Sequence, residues 1–523
     1  MEASIARRGE IFVVPFFGQG HLFPSMELCK HLSSRNYQTT LIIPSHLSSS
    51  VPSDLRHHPS IQITEISIAT PPPPPPPEIS PDQSGPGPAP GSGHGRGPNA
   101  IHNQNQELGE GIESFLLARS GSQGPTRPVC AVVDSMMSWS KVIFAKFDVP
   151  AVSFLTTGAC STAMEYAAWK VHVDEMKPGE TRILPGLPED MALSYSDLER
   201  RPRRGGPGPR GFKFGRPGSG LPEPGQVRPG PPGPGQKPRW LDEVEGSIAL
   251  LINTCSDMEH TFIDYVSTQI EKPVWGVGPL LPEQYWKSVG SVLHDNEIRS
   301  NGHQSNYTEN EVIEWLDSKS RGSVIYISFG SEVGPTEEEY GRLASALEKS
   351  NRPFIWVIQP GSGKSGPPRS FLGGSDSKEE GGYYPHGLEE KAGERALIIR
   401  GWAPQLLILS HQSTGGFLSH CGWNSTIEAL GRGVRILAWP IRGDQYHNAK
   451  LVVAHLKMGY MVSTSDINTV KEEDIAQGIE KLMGDEEVHR RVTNLRGKFE
   501  RGFPASSVKA LDAFGDFIRP KSI

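Results

Sequence analysis

Cysteine is scarce in this chain. Five occur in 523 residues, Cys29, Cys130, Cys160, Cys255 and Cys421, an odd number with no spacing that suggests a zinc site or a disulfide framework. A reduced, cytoplasmic setting suits that pattern. Long apolar runs are missing as well. The first, IFVVPFF, is broken by Gly18, Gln19, Gly20 and His21 before it reaches the length of a secretory core. No run is long enough to span a bilayer, and the last residues, GDFIRPKSI, do not form a membrane tail. Positive charge is not in excess either. With 52 Lys and Arg against 59 Asp and Glu, the formal net charge is −7, which argues against nucleic acid or an anionic membrane surface as a partner.

Complete phosphate-loop patterns are also absent. In GQGH (Gly18–His21) the third glycine position of a dinucleotide fingerprint holds Phe23. In PGSGKSG (Pro360–Gly366) the first glycine of a P-loop would fall on Ile358, and Pro/Gly sequence follows where a helix is needed. That stretch, 361–384, reads as an exposed loop.

Glycine and proline, in contrast, are abundant. The 58 glycines and 47 prolines make up about a fifth of the chain, against about 12% in average usage. Much of the excess lies in two tracts. Residues 71–98 open with seven prolines, and residues 201–238 are rich in Gly, Pro and Arg. Neither has the periodicity to build a core.

A chain this long holds two or more domains. Outside the tracts, short apolar runs alternate with helical patterns, the rhythm of a parallel α/β sheet. Strands are predicted at Ile11–Phe16, Thr40–Pro44, Val129–Asp134, Pro150–Leu155, Ile248–Asn253 and Phe354–Ile358, with another opening at Ser323. Helices are predicted at Leu22–Arg35, near Leu108–Ala118, over SWSKVIFAKF, and at Ala159–Lys170, Met258–Ile270, Asn310–Ser318, Thr336–Ser350, Val470–Met483, Glu487–Arg501 and Ser506–Ile518. GQGH reads as a tight turn that presents His21 at a strand end, where a catalytic group belongs. Asp134 ends another strand and precedes a helix, so it is also an N-cap candidate.

The stretch that organises the chain is WAPQLLILSHQSTGGFLSHCGWNSTIEALGRGVRILAWPIRGDQ, Trp402–Gln445. Its polar residues fall at strand ends and helix starts, where an open α/β sheet binds ligands. A helix beginning near Asn424 points free N–H groups and a positive dipole end at its ligand, a place that suits phosphate, and His420 just before it can donate to a phosphate oxygen. Asn424 and Glu428, four apart, share a face, and a carboxylate one turn past a phosphate can accept both hydroxyls of a ribose. Trp402 offers a flat face for a base. Taken singly, each of these residues is more often a core, capping or solvated surface residue. Taken together, they suit a nucleotide diphosphate.

This stretch closely resembles, without a gap, the signature box of the plant family-1 UDP-glycosyltransferases. The resemblance implies a GT-B arrangement, two facing Rossmann-like α/β domains with parallel sheets and a cleft between them. The expected division is 1–280 as the acceptor-binding domain, 281–308 as a linker, 309–503 as the UDP-sugar-binding domain, and 504–523 as a helix packing back on the first domain. It implies that Trp402, Ala403 and Gln405 hold the uridine and Glu428 the ribose. His420, Asn424 and Ser425 match the pyrophosphate ligands, and Ser331 lies near the phosphates. Trp423, Asp444 and Gln445 match the sugar ligands. His21 matches the general base and Asp134 the acid that orients it. The box departs from the family in two places. Arg435 stands where proline is usual, and Arg442 stands where an apolar or aromatic residue is common, close to the sugar-reading pair.

The expected activity is inverting transfer of glucose from UDP-glucose to a hydroxyl of a small lipophilic plant metabolite, a flavonoid, another phenolic or a terpenoid, giving a β-glucoside. No metal or cofactor is expected, and the chain is expected to be a cytoplasmic monomer. Alternatives are another UDP-sugar, a nicotinamide-dependent oxidoreductase, and a nucleotide-sugar binding protein without activity. The incomplete fingerprint counts against the oxidoreductase, and intact His21 and Asp134 count against the inactive binder. The two Gly/Pro tracts are expected to exchange amide hydrogens fast and to be cut first in limited proteolysis, with Trp402–Gln445 protected. Strong protection across 201–238 would show instead that this tract packs.

Overall fold

The computed structural model describes residues 8–68, 98–120, 128–199, 233–288, 293–294, 305–331, 334–363, 382–463 and 470–519. Nearly all of the tract 71–98, most of the tract 201–238, most of the loop 361–384 and most of the linker after Ser288 lie outside them.

Two parallel sheets carry the fold. The first contains β1 (Gly9–Val14), β2 (Tyr37–Pro44), β3 (Ile61–Ile66), β4 (Pro128–Asp134) and β5 (Ala151–Leu155). A two-residue ribbon, β6 (Thr181–Arg182) with β7 (Leu193–Ser194), stands apart, and β8 (Leu250–Ile252) and β9 (Val274–Gly276) complete the first sheet. Its order is β3-β2-β1-β4-β5-β8-β9. The second sheet contains β10 (Val324–Ser328), β11 (Phe354–Ile358), β12 (Ala396–Arg400), β13 (Thr414–Ser419), β14 (Arg435–Ala438) and β15 (Gly459–Met461), in the order β12-β11-β10-β13-β14-β15. Every pairing within these two sheets is parallel.

The strand sequences explain this architecture. Central strands such as FVV and VIYI are apolar on both faces, the composition of a sheet covered by helices on each side. In β1, Ile11 and Val13 join one cluster while Phe12 and Val14 join another on the opposite face. In β10, Ile325 and Ile327 likewise separate from Val324 and Tyr326. One cluster runs through both domains, from Leu155 and Ile252 to Tyr326 and Leu430. The domains therefore share an apolar seam.

Three strands of the two sheets, β3, β9 and β15, and the ribbon of β6 and β7 have no counterpart in the sequence reading. The edge strand β3 leaves Gln62 and Glu65 exposed, and β9 and β15 are three residues long, too short to show a period. The first helix spans Gln19–Ser33, with Gly18 extended at its N-cap. His21 thus sits in the first helical turn rather than in a turn ahead of it. Part of the linker is built into the core. Glu283–Lys287 is helical, Tyr285 and Trp286 are buried, and the Tyr285 hydroxyl donates to the Glu428 carbonyl at 2.8 Å. The last helix, Ala505–Phe517, lies on the first domain. Leu511 and Phe514 join the cluster of Ile11 and Tyr37, and the Tyr37 hydroxyl donates to the Gly515 carbonyl at 2.7 Å.

Arg435, the departure from proline in the box, has a structural partner set. Its side chain is buried, and the guanidinium donates to the carbonyls of Gly415 (3.0 Å), Leu482 (3.1 Å) and Met483 (3.0 Å). The last two close the helix Glu472–Gly484, so the cation sits at the negative end of that helix dipole. Arg435→Ala would leave three carbonyls without donors. It is expected to cost about 3 kcal/mol of stability, read as a lower midpoint in thermal or urea unfolding. An unchanged midpoint would refute this role.

Candidate active site

The site forms where the C-terminal ends of the two sheets face each other. On the first domain, β1 leads through Phe16 and Phe17 into the first helix, and β4 ends at Asp134. Asp134 is 1% exposed. Its Oδ2 lies 2.7 Å from Nδ1 of His21, and its Oδ1 accepts from the Met136 backbone N–H at 2.9 Å. One oxygen caps the following turn and the other orients the imidazole. The His21 side chain keeps 27% of its exposure, and the edge of its ring meets Phe16 at 5.2 Å. The carboxylate favours the Nδ1–H tautomer, which makes Nε2 the basic nitrogen.

On the second domain, β13 runs into Ser419, His420 and Cys421 and then into the helix Trp423–Gly431. The N-cap is Gly422, and no side chain caps it. The N–H groups of the first turn are therefore available to an anion. His420 is wedged between two glycines. A Cβ on Gly330 would lie 2.7 Å from its Nε2, and one on Gly422 would lie 2.5 Å away. Neither position can carry a side chain while the imidazole stays where it is. Burial pulls the His420 pKa down to about 4, so the ring is neutral at ordinary pH and can donate one N–H to an anion.

The uridine-side residues cluster at the end of β12. Trp402 is half-buried, Ala403 is buried, and Gln405 opens the helix Gln405–Ser410. Gln405 Nε2 reaches Glu428 Oε2 at 2.6 Å and Ser425 Oγ at 3.0 Å, so the predicted uridine and ribose residues form one network. A cleft opens beside it, lined by Phe23, Glu27 and Lys30 of the first helix and by Asn424 and Glu428. Ser331 is exposed in the turn after β10.

The sugar-side residues divide. Asp444 is the N-cap of the helix Gln445–Lys450. Its Oδ2 accepts from Thr157 of the first domain and from Asn448, each at 3.0 Å. Gln445 Oε1 accepts from the backbone N–H groups of Ile441 and Arg442, both at 2.9 Å. That oxygen braces the loop, and the amide nitrogen of Gln445 is the group suited to a ligand. Arg442 is exposed. The Trp423 side chain does not join this group. It is buried in the seam, its indole N–H donates to the Asn253 carbonyl at 2.7 Å, and a Cβ on Gly158 would meet the ring at 2.8 Å.

Four polar residues went unnoticed in the sequence. Thr156 Oγ1 lies 2.9 Å from His21 Nδ1, beside the bond to Asp134. Thr157 reaches Asp444, and Asn253 holds Trp423. Asn448, fully buried, donates to the Cys421 carbonyl at 3.0 Å as well as to Asp444. Only Asn448 carried a signal, because it lies four residues after Asp444 at the start of a helix.

The depressed His420 pKa has a consequence for stability. Between about pH 6.5 and about pH 4 the unfolded chain binds a proton that the folded chain refuses, so stability falls as pH drops through this window and is recovered above it. His420→Gln removes this one proton uptake. Thermal unfolding at about pH 7 and about pH 5 is expected to show a smaller loss in the variant than in the parent chain. An equal loss would place the ring in a solvated setting.

Comparison with known proteins fits this geometry. The sequence model of the family described as UDP-glucoronosyl and UDP-glucosyl transferase matches residues 294–499. UDP-glucosyl transferase 73M2 of Saponaria officinalis is 30% identical over 410 residues, 73% of this chain and 75% of the relative. Scopoletin glucosyltransferase of Nicotiana tabacum is 28% identical over 486 residues, 91% and 90% of the two chains. Among solved structures, Medicago truncatula UGT71G1 complexed with UDP-glucose superposes with a TM-score of 0.68 at 21% identity, covering 98% of each chain, which establishes the shared GT-B fold. A relationship this extended in sequence as well as in fold is one of descent, and the chain belongs to the plant UDP-glycosyltransferases, enzymes that move a glycosyl group from a UDP-sugar to a small-molecule acceptor.

Proposed function

We propose that this enzyme transfers glucose from UDP-glucose to a hydroxyl of a small lipophilic plant metabolite, a flavonoid, another phenolic or a terpenoid, with inversion to a β-glucoside. The observation that carries the reading is the His21–Asp134 pair at 2.7 Å, across the domain junction from the uncapped helix Trp423–Gly431. Relatives named as a flavonoid 3-O-glucosyltransferase of Fragaria ananassa and as the scopoletin enzyme support both donor and acceptor class.

In this reading, Trp402, Ala403 and Gln405 hold the uridine and Glu428 the ribose diol. The helix N–H groups, His420, Asn424, Ser425 and nearby Ser331 stabilise the negative charge that grows on UDP as it leaves. Asp444 and the Gln445 amide nitrogen read sugar hydroxyls, and Trp423 contributes through the placement of its helix. His21 Nε2 takes the acceptor proton while the acceptor oxygen attacks the anomeric carbon on the face opposite UDP. Asp134 stabilises the imidazolium, as the acid does in the serine-protease triad. Charge on the leaving group is met by protein donors, so the scheme calls for no metal and no cofactor. The chain is proposed to act as a cytoplasmic monomer.

The test is a screen of phenolic and terpenoid alcohols with UDP-glucose, read by mass and by the anomeric coupling of the product. UDP-galactose and UDP-glucuronate serve as rival donors. His21→Ala is expected to lower kcat by about 10²–10⁴ with little change in UDP-glucose affinity. An α-linked product, or near-normal turnover of His21→Ala on an alcohol, would overturn the mechanism. A larger kcat/KM with either rival donor would overturn the choice of glucose and point to Arg442.

A further inference from the structure

Thr156 and Thr157 follow β5 of the first domain, and their side chains serve opposite sides of the cleft. Thr156 turns to His21 of its own domain at 2.9 Å. Thr157 crosses the seam and donates to Asp444 Oδ2 of the other domain at 3.0 Å. The same Oδ2 receives Asn448 Nδ2, also at 3.0 Å. Among the described residues, both side-chain hydrogen bonds of Asp444 thus fall on one oxygen. Asn448 is fully buried and tied to the Cys421 carbonyl, so it cannot swing with the carboxylate. Asp444 itself stands at a helix start, next to Gly443 with a φ of +61°, on a loop whose neighbours are exposed. One fixed donor leaves a carboxylate free to rotate about its Cβ–Cγ bond. A second donor from a different direction fixes the plane and leaves Oδ1 for a ligand.

We infer that Thr157 is a positioning residue for the donor sugar: its hydroxyl, supplied by the acceptor domain, fixes the Asp444 carboxylate so that Oδ1 accepts from sugar hydroxyls only when the two domains are together. The inference rests on the reading of Asp444 as a sugar ligand. It makes sugar recognition a property of the joined domains, whereas the predicted uridine residues all lie on the second domain. UDP and UDP-glucose should therefore respond differently to loss of the hydroxyl.

The experiment measures equilibrium binding of UDP, UDP-glucose and UDP-galactose to the full chain by calorimetry. Thr157→Val removes the hydroxyl and keeps the shape, Thr157→Ser restores the hydroxyl, and Asp444→Asn tests the underlying assignment. In Thr157→Val the Kd of UDP-glucose is expected to rise about tenfold to a hundredfold, the range for one hydrogen bond to a charged group. UDP should stay within about twofold, the preference for UDP-glucose over UDP-galactose should narrow, and Thr157→Ser should return close to the parent values. Added to Asp444→Asn, Thr157→Val should have little further effect, since coupled residues are not additive. The inference is overturned if Thr157→Val leaves UDP-glucose affinity and sugar preference unchanged while Asp444→Asn alters them. It is equally overturned if UDP and UDP-glucose weaken together, which is the mark of a general role in domain contact. If Asp444→Asn itself leaves sugar preference intact, the assignment of Asp444 fails and takes the role of Thr157 with it.

Discussion

The site depends on one buried hydrogen bond, from the indole of Trp423 to the carbonyl of Asn253 across the seam. Trp423 is the first residue of the helix whose free N–H groups face the cleft. Asn253 follows β8 of the other domain, and its side-chain oxygen accepts from the Leu280 N–H at 2.7 Å, just where the chain leaves that domain. The bond therefore registers the helix Trp423–Gly431 against the sheet that carries His21 and Asp134. A tryptophan suits this role because it fills the seam with a large apolar surface and still satisfies one buried carbonyl. Gly158 completes the fit, since a side chain there would collide with the ring.

Around that bond the seam is more polar than its apolar core suggests. Glu259 is buried and accepts from the backbone N–H groups of Ala159 (3.0 Å) and Cys160 (2.7 Å), at the start of the helix Ala159–Lys170. Burial pushes its pKa up, although those donors oppose the shift. Nearer solvent, Lys450 pairs with Asp197 at 3.0 Å and His455 with Asp190 at 3.1 Å. Asn424 donates to the Gly20 carbonyl at 3.1 Å, one residue from His21. Exposed pairs of this kind contribute little net energy. Their directionality still selects one mutual placement of the domains among those the apolar surfaces would allow.

The sequence was most legible where chemistry fixes residue identity. The alternation of apolar strands and amphipathic helices gave two α/β units, and Ala159–Lys170 and Phe354–Ile358 begin and end where their patterns do. Short or edge strands such as β9 and β3 were not legible, because three residues show no period and an edge tolerates polar residues. The box was readable because stacking, anion binding and diol recognition each demand particular side chains in a fixed order. What a residue does across the seam was not readable. Nothing local separates Trp423 as an anchor from Trp423 as a sugar contact, and two consecutive threonines carry no period, charge or motif. Arg435 looked only like a departure from the box, yet it serves the end of the helix Glu472–Gly484, a partner that only tertiary structure supplies.

The return of the last helix to the first domain gives the chain two crossings between its halves. One follows Leu280, and the other lies between Phe499, which ends a helix of the second domain, and Ala505. A body joined to another by a single strand can swivel freely, whereas two separated strands define a hinge line. Relative motion is then confined to rocking about that line, and the cleft can open to admit a donor without losing its register. The tether is firm at the far end, where Phe514 meets Trp275 at 5.7 Å and Arg35 binds Asp512 at 2.8 Å. The final helix thus acts as a mechanical strap that leaves the two halves essentially one degree of relative freedom.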